Sequence, residues 1–342
     1  MSSIAYELGG CVVCGSVNAS EIADHDQMRH EVEALWAFQM RRLKATTPPD
    51  RLVDRVAFSQ RPPVRLVRCR ECGLVYRNPR EREFELRDTY ASGEPTAAVM
   101  RTLLETQRPA YRESARRLKR LLGRAGSGVE VGSYVGAFLT AAMEEGWHFE
   151  GLDVGRKVSE FARQQGFTVT IGTLDSWEPR RSFDAVAIWN TFDQLPDPRH
   201  AAALSHRLLV PGGMFAIRVP NGAFYARVRT MLNGPFRGIA RALLAHNNLL
   251  GFPHRHGFTV QSLDVLMTRT GFAMQEVHGE SLVLPTDEFT RQWAAGEERV
   301  LKHGFSMLRK LGFHAAEKSP WLEAYARKLP LPRTTASPAT TA

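Results

Sequence analysis

Between Gly128 and Asn221 the apolar residues fall into two alternating rhythms. Short runs of strand length, "VEV", "FEGLDV", "TVTI", "FDAVAIW" and "MFAIRV", are separated by stretches such as "AFLTAAMEEG", "KVSEFARQQG" and "RHAAALSHRLL". In the latter, apolar positions recur at helical spacing. Strand and helix in strict alternation predict an α/β fold built on a doubly wound, mostly parallel sheet, with ligands expected at the carboxyl ends of the strands.

Other rhythms flank this core. "AAVMRTLLETQRPAYRESARRLKRLLGR", from Ala97, has helical spacing and a basic outer face, with Pro109 expected to kink or divide it. Nearer the start, "EIADHDQMRHEVEALWAFQMRRL" reads as an inserted helix stopped by "TTPPD". Together these boundaries predict an N-terminal region over 1–95 and a core over 96–285 that carries an insertion at about 222–257. C-terminal helices are expected over 286–328, and the low-complexity segment 329–342 reads as disordered.

The chain has only four cysteines, in two Cys-x-x-Cys-Gly hooks: Cys11 with Cys14, and Cys69 with Cys72. Two such hooks fit two thiolate knuckles that complete a closed tetrahedral zinc shell with a structural role. The alternatives are disulfides, which a cytoplasmic chain disfavours, and a redox pair, which would open a helix after a strand. No stretch approaches ~18 apolar residues and the start lacks the pattern of a signal peptide, so a soluble cytoplasmic protein is expected.

Charge sharpens the picture in one place. The formal net charge is +9, and Pro198 to Leu263 holds eight arginines and no acid. An anionic partner is expected there, although arginine is abundant throughout the chain.

The turn after the first core strand, "VEVGSYVGAF", holds Gly132 and Gly136 but has Tyr134 where a dinucleotide-binding turn needs a glycine. A side chain there blocks the approach of a pyrophosphate. S-adenosylmethionine has no phosphate, and its amino-acid end, sulfonium and ribose call for a close turn and carboxylates. Glu130, Gly132, Gly136 and Asp153, which ends the second strand, supply these.

With these residues in view, Gly128 to Phe272 resembles a class I S-adenosylmethionine-dependent methyltransferase with its Rossmann-like sheet. "RCRECGLVYRNPR", "FDAVAIWNTFDQLPDP", "LLVPGGMFAIRVPN" and "GFTVQSLDVLMTRTGF" resemble the bacterial members with an N-terminal zinc-binding segment. The resemblance implies that Glu130, Gly132, Ser133 and Gly136 line the methionine end of the cofactor, with Tyr134 and Val154 also among the cofactor-binding residues. It implies that Asp153 holds the ribose hydroxyls, that Thr173, Leu174 and Asp175 border the adenine, and that Asn190, Thr191 and Phe192 pass beneath the sulfonium. Where such relatives commonly have Glu-His before "LPDP", this chain has Asp193 and Gln194, which leaves the acceptor atom open.

Methyl transfer needs chiefly a nucleophile held in line. If a proton must also be removed, His246, His254 and His256 in "LLAHNNLLGFPHRHGFT" are the leading bases, with Tyr225 and Asp193 in reserve. Arg227, Arg241 and Arg255, with Asn221, are candidates to hold an anionic acceptor, for which a nucleotide-linked sugar or another glycan or natural-product precursor is expected. RNA, a lipid-linked glycan at a membrane surface, and a binding protein without turnover are the other readings carried forward.

Overall fold

The computed structural model describes residues 6–47, 65–81, 95–252, 254–281, 290–310 and 316–329. The expected disordered tail beyond Leu329 and the end of the "TTPPD" break lie outside the described residues. Among the described residues no helix is long and apolar enough to cross a membrane.

The N-terminal region runs β1 (Tyr6–Glu7), β2 (Ala19–Ala23), α1 (His25–Arg42), β3 (Leu66–Cys69), β4 (Val75–Arg77) and β5 (Arg80–Glu81). The inserted helix forms as expected, opened by a capping box in which Asp24 accepts from the backbone N–H of Gln27. Next comes α2 (Ala97–Leu122), a single helix with Pro109 inside it, so the expected division does not occur. Its buried side, including Tyr111, Ala115 and Leu118, packs on the sheet and α3 and so compensates for the hydrogen bond that proline removes.

The core continues with β6 (Ser127–Val131), α3 (Ala137–Glu144), β7 (His148–Asp153), α4 (Arg156–Gln164), β8 (Val169–Ile171), β9 (Phe183–Trp189), α5 (Pro198–Leu208) and β10 (Leu209–Pro220). The insertion follows as α6 (Gly222–Arg229), α7 (Arg237–His246) and β11 (His256–Gly257), and then α8 (Val260–Arg269) and β12 (Phe272–Glu280). The last described elements are α9 (Gln292–Lys310) and β13 (Trp321–Lys328).

Seven strands form the main sheet in the order β12-β13-β10-β9-β6-β7-β8. The five from β10 to β8 are parallel, while β13 is antiparallel to both of its neighbours. Here the structure corrects the expectation of C-terminal helices alone over 286–328: α9 is one, but the chain then returns as a strand into the sheet, so the core reaches Lys328.

Side chains of β9 alternate between the two faces of the sheet, as strand geometry requires. Ala185, Ala187 and Trp189 pack under α2 and α3, whereas Val186 and Ile188 face α5 and α8. The cysteine knuckles join this second face: Cys11, Val13, Cys69, Cys72 and Leu74 share one core with Val129, Ile188, Phe215 and Leu263. A second sheet, β11-β4-β3-β2, stitches the knuckle region to the insertion through the antiparallel pairs His256 with Tyr76 and Gly257 with Val75.

The basic face of α2 is engaged in ion pairs rather than open to a ligand. Arg108 and Arg112 reach Glu144, Arg116 reaches Glu145, Arg120 reaches Glu276 and Arg124 reaches Asp184. Exposed pairs of this kind orient a helix more than they stabilise it. One network is buried: Glu323 of β13 binds Arg218 of β10, Arg117 at 2.9 Å, Tyr325 Oη at 2.7 Å and Ser114 Oγ at 3.0 Å. Burial alone would raise the Glu323 carboxyl, but the two arginines and these hydrogen bonds hold it down at about 2.

Because the folded value lies below the ordinary 4.5 of a free carboxyl, this stabilisation is complete above that range and is lost as pH falls toward the folded value. Glu323→Gln is expected to cost roughly 3 to 5 kcal/mol at neutral pH, since it leaves buried arginines without their counter-charge. Urea midpoints of parent and variant, measured between neutral pH and pH ~3, should converge on acidification; parallel curves would contradict this account.

Candidate active site and cysteine cluster

At the carboxyl rim of the sheet the first turn is tight. Gly132 and Gly136 both take positive φ, 77° and 76°, and a Cβ on Gly132 would lie 2.5 Å from Thr191 Oγ1. Tyr134 also has positive φ, 47°, at a cost of ~1 to 2 kcal/mol for a residue with a side chain. Its ring is 38% exposed, so it leans out of the turn rather than filling it. The backbone N–H of Tyr134 donates to Asp153 Oδ2 and that of Gly155 to Oδ1, both at 2.8 Å. These two bonds orient the Asp153 carboxylate at the mouth of the turn.

Glu130 is buried beside it, and its Oε2 has no hydrogen-bond partner. Burial, reinforced by the charge of Asp153 and only partly offset by Arg218, pushes the Glu130 carboxyl well above its usual range. Ser133 Oγ is also buried and unsatisfied, as is Asn190 Oδ1 across the rim. Asn190 takes a left-handed φ of 55° and donates through Nδ2 to Tyr111 Oη at 3.3 Å. Val154 is exposed, Leu174 is buried, and Asp175 faces solvent paired with His200 Nε2 at 2.7 Å, while Thr173 bonds Ser176. Phe192 turns into the core against Phe215 and Phe258, so only its backbone lines the rim.

The five candidate bases separate into three places. Tyr225 is fully buried and donates to Glu31 Oε2 at 2.9 Å, which makes it an anchor between α6 and α1. His246 packs edge-on to Phe38 and lies 3.7 Å from Glu297, in the contact of α7 with α1 and α9. Neither stands among the rim residues. His254, His256 and Asp193, by contrast, are brought together: His254 Nδ1 is 2.6 Å from Asp193 Oδ2, and His256 Nδ1 donates to the Asp193 carbonyl at 3.1 Å.

His256 is a poor base in this setting. Burial, with Arg255 beside it, lowers its imidazole to about 3, far below the near-neutral value that suits proton abstraction. His254 has its Nε2 3.3 Å from the Asn248 carbonyl, so both its nitrogens face oxygen. The unengaged atom of the group is Asp193 Oδ1, fully buried and without a hydrogen-bond partner. Pairing across 61 residues gave no local signal by which Asp193 and His254 could have been joined in the sequence.

The candidate acceptor residues also divide. Asn221 caps α6, accepting from Ala223 and Phe224 and donating to Ser319 O at 2.7 Å, so its amide is occupied in holding the chain. Arg255 is buried. Arg218 and Arg229, from the same acid-free stretch, bind Glu323 and Glu31. Arg227 and Arg241 are exposed, and no ion pair holds either among the described residues.

The two cysteine hooks have matching backbones. Gly15 and Gly73 take φ of 79° and 77° and donate to the carbonyls of Cys11 and Cys69 at 2.8 and 3.0 Å. The four Sγ atoms lie within 4.8 Å of one another and no disulfide is formed. Four thiols at this spacing fit a tetrahedral zinc with bonds of about 2.3 Å.

A family model described as a methyltransferase domain matches residues 81–277, more than half of the 342 residues. The chain belongs to that family and is an S-adenosylmethionine-dependent methyltransferase. Among solved structures it is similar to the 1,6-didemethyltoxoflavin-N1-methyltransferase of Burkholderia thailandensis, with 17% identity over 79% of this chain and 98% of that one and a TM-score of 0.46. It is likewise similar to an S-adenosylmethionine-dependent methyltransferase of Mesorhizobium loti, with 22% identity over 63% and 96% and a TM-score of 0.42. A further similar structure is a methyltransferase of Thermotoga maritima, with 18% identity over 66% and 92% and a TM-score of 0.44. Comparison with curated proteins finds no match.

Proposed function

We propose that this methyltransferase modifies an anionic small molecule, in the class of nucleotide-linked sugars and related glycan or natural-product precursors. The observation that carries the reading is that Arg227 and Arg241 stand exposed in a stretch without acids, on an insertion that begins where β10 leaves the carboxyl rim. Guanidinium groups on such a lip suit a phosphate or carboxylate presented to the cofactor.

In this reading Glu130, Gly132, Ser133, Gly136, Asp153 and Asn190 hold the cofactor. The buried, unsatisfied Glu130 Oε2 suits a cationic group, whose arrival would return the carboxyl to its charged form. The cofactor supplies the methyl group; the chain orients the acceptor, excludes water and, through Asp193 Oδ1 backed by His254, takes up a hydrogen bond from the acceptor. Zinc at Cys11, Cys14, Cys69 and Cys72 completes the proposal as a structural metal, supported by the closeness of the four sulfurs and the burial of all but Cys14.

A pair of variants tests the division of labour. Asp153→Ala is expected to weaken S-adenosylmethionine binding by about 10- to 100-fold in calorimetry, the range for losing a hydrogen bond to a charged group. Arg241→Ala should leave that affinity unchanged and raise KM for phosphorylated acceptors in a labelled-cofactor screen of sugar nucleotides. If Arg241→Ala instead turned over small acceptors like the parent while losing salt-dependent binding to RNA or anionic vesicles, a macromolecular acceptor would replace this one.

A further inference from the structure

The helix α9 is apolar on two sides. Its inner side buries Ala294 and Ala295, with the ion pair of Glu298 and Lys302 at 2.8 Å beside them. Its outer side carries Trp293, Val300 and Met307, which are 52%, 72% and 52% exposed, the Trp293 ring also meeting the Arg42 guanidinium at 5.8 Å. Between them lie Gly296 and Gly304, where an added Cβ would meet nothing within 4 Å. At helical geometry these five residues fall within an arc of about 80°. Their mean spacing, four steps from Trp293 to Met307, is ~3.5 residues, the period of a helix-pairing seam rather than of a surface helix.

Two glycines inside an exposed helix each cost roughly 1 kcal/mol relative to alanine, and among the described residues nothing requires them, since an added Cβ at either meets none of them within 4 Å. Small residues on a helix face let a second backbone approach closely. The order of the seam says which backbone this is. Counted outward from Val300, Glu297 and His303 stand three residues away on either side, Gly296 and Gly304 four, and Trp293 and Met307 seven. The pattern reads alike in both directions, with an acid opposite a histidine and an aromatic ring opposite a thioether.

We propose that a second copy of this chain docks here, α9 against α9, antiparallel about a two-fold axis at Val300. Such an interface is isologous, so every contact occurs twice. Trp293 of one copy covers Met307 of the other, a favourable sulfur–ring contact. Gly296 faces Gly304 and brings the helices close, while Val300 meets its own counterpart. Glu297, held from behind by Arg42, lies opposite His303 of the second copy.

Sedimentation equilibrium of the full chain should give a dimer, and Val300→Asp should give a folded monomer whose thermal midpoint, unlike the parent's, does not depend on protein concentration. The geometry is read by cross-linking with a short bismaleimide. Val300→Cys should join to itself, Arg299→Cys on the flank should not, and the parent chain serves as the control for the native cysteines. A mixture of Trp293→Cys and Met307→Cys chains should cross-link only as the mixed pair. A parent chain that stays monomeric up to about 100 µM, a dimer that survives Val300→Asp, or a Trp293→Cys chain that links to itself would each overturn the proposal.

Discussion

Replacing Cys69 with serine is expected to lower the thermal midpoint of the whole protein by about 10 °C or more, given ~2 to 4 °C per kcal/mol in a domain of this size. The reason is that the knuckles are not an appendage. Cys69 closes β3, and its sulfur lies 3.4 Å from that of Cys14 in a core shared with β6, β9, β10 and α8. The outer side of the hooks is tied to α8 as well, through Thr259 Oγ1 donating to Cys72 O at 3.3 Å and Arg269 to Cys14 O at 2.8 Å. Without the proposed metal, the buried thiols of Cys11, Cys69 and Cys72 and the half-buried thiol of Cys14 would lose the bond that holds them together, and the face of the sheet beneath them its cover. Elemental analysis of the parent should find one zinc per chain, and a strong chelator should reproduce the shift seen in the variant. A metal-free parent with an undiminished midpoint would falsify the zinc assignment.

The second large effect concerns turnover. Asp193→Asn is expected to reduce kcat by roughly 10² to 10⁴, the usual contribution of a positioned acid–base group, with cofactor affinity little changed. Asparagine keeps the shape of the side chain, but it puts an N–H₂ or a neutral oxygen where His254 Nδ1 meets a carboxylate and where the acceptor is proposed to meet it. His254→Ala should lie between parent and Asp193→Asn, since it removes the orienting partner and leaves the carboxylate. His256→Ala should change stability more than kcat, because an imidazole lowered to about 3 is already neutral and its Nδ1 serves the backbone. Calorimetry of cofactor binding alongside single-turnover rates distinguishes these outcomes. Equal rates for Asp193→Asn and the parent would remove Asp193 from the chemistry.

The parallel half of the sheet was legible in the sequence because its central strands β6, β9 and β10 are largely buried on both faces and read as apolar runs bounded by turn residues. The turn at Gly132 and the cysteine hooks were legible for a different reason: their geometry is local. What escaped was long-range. "WLEAYARK" is rich in residues that favour helices, and Glu323 argues against a buried strand unless its arginine partners, more than a hundred and two hundred positions upstream, are known. Asp193 stands out little in the sequence, since nothing near it announces His254, 61 residues away. The arginines of the acid-free stretch looked alike as composition, but burial and partners divide them into anchors, Arg218 and Arg229, and exposed groups, Arg227 and Arg241.

The position of β13 has a consequence for synthesis. β13, which follows every other described strand in the sequence, is an interior strand, hydrogen-bonded to β10 along Met214–Pro220 on one side and to β12 along Phe272–Glu280 on the other. Until it arrives, the growing chain carries two open strand edges, each able to pair with a neighbouring molecule, and Arg218 has yet to meet its buried carboxylate. A message stopped just ahead of Trp321 therefore encodes nearly the whole rim of the active site on a sheet that cannot close.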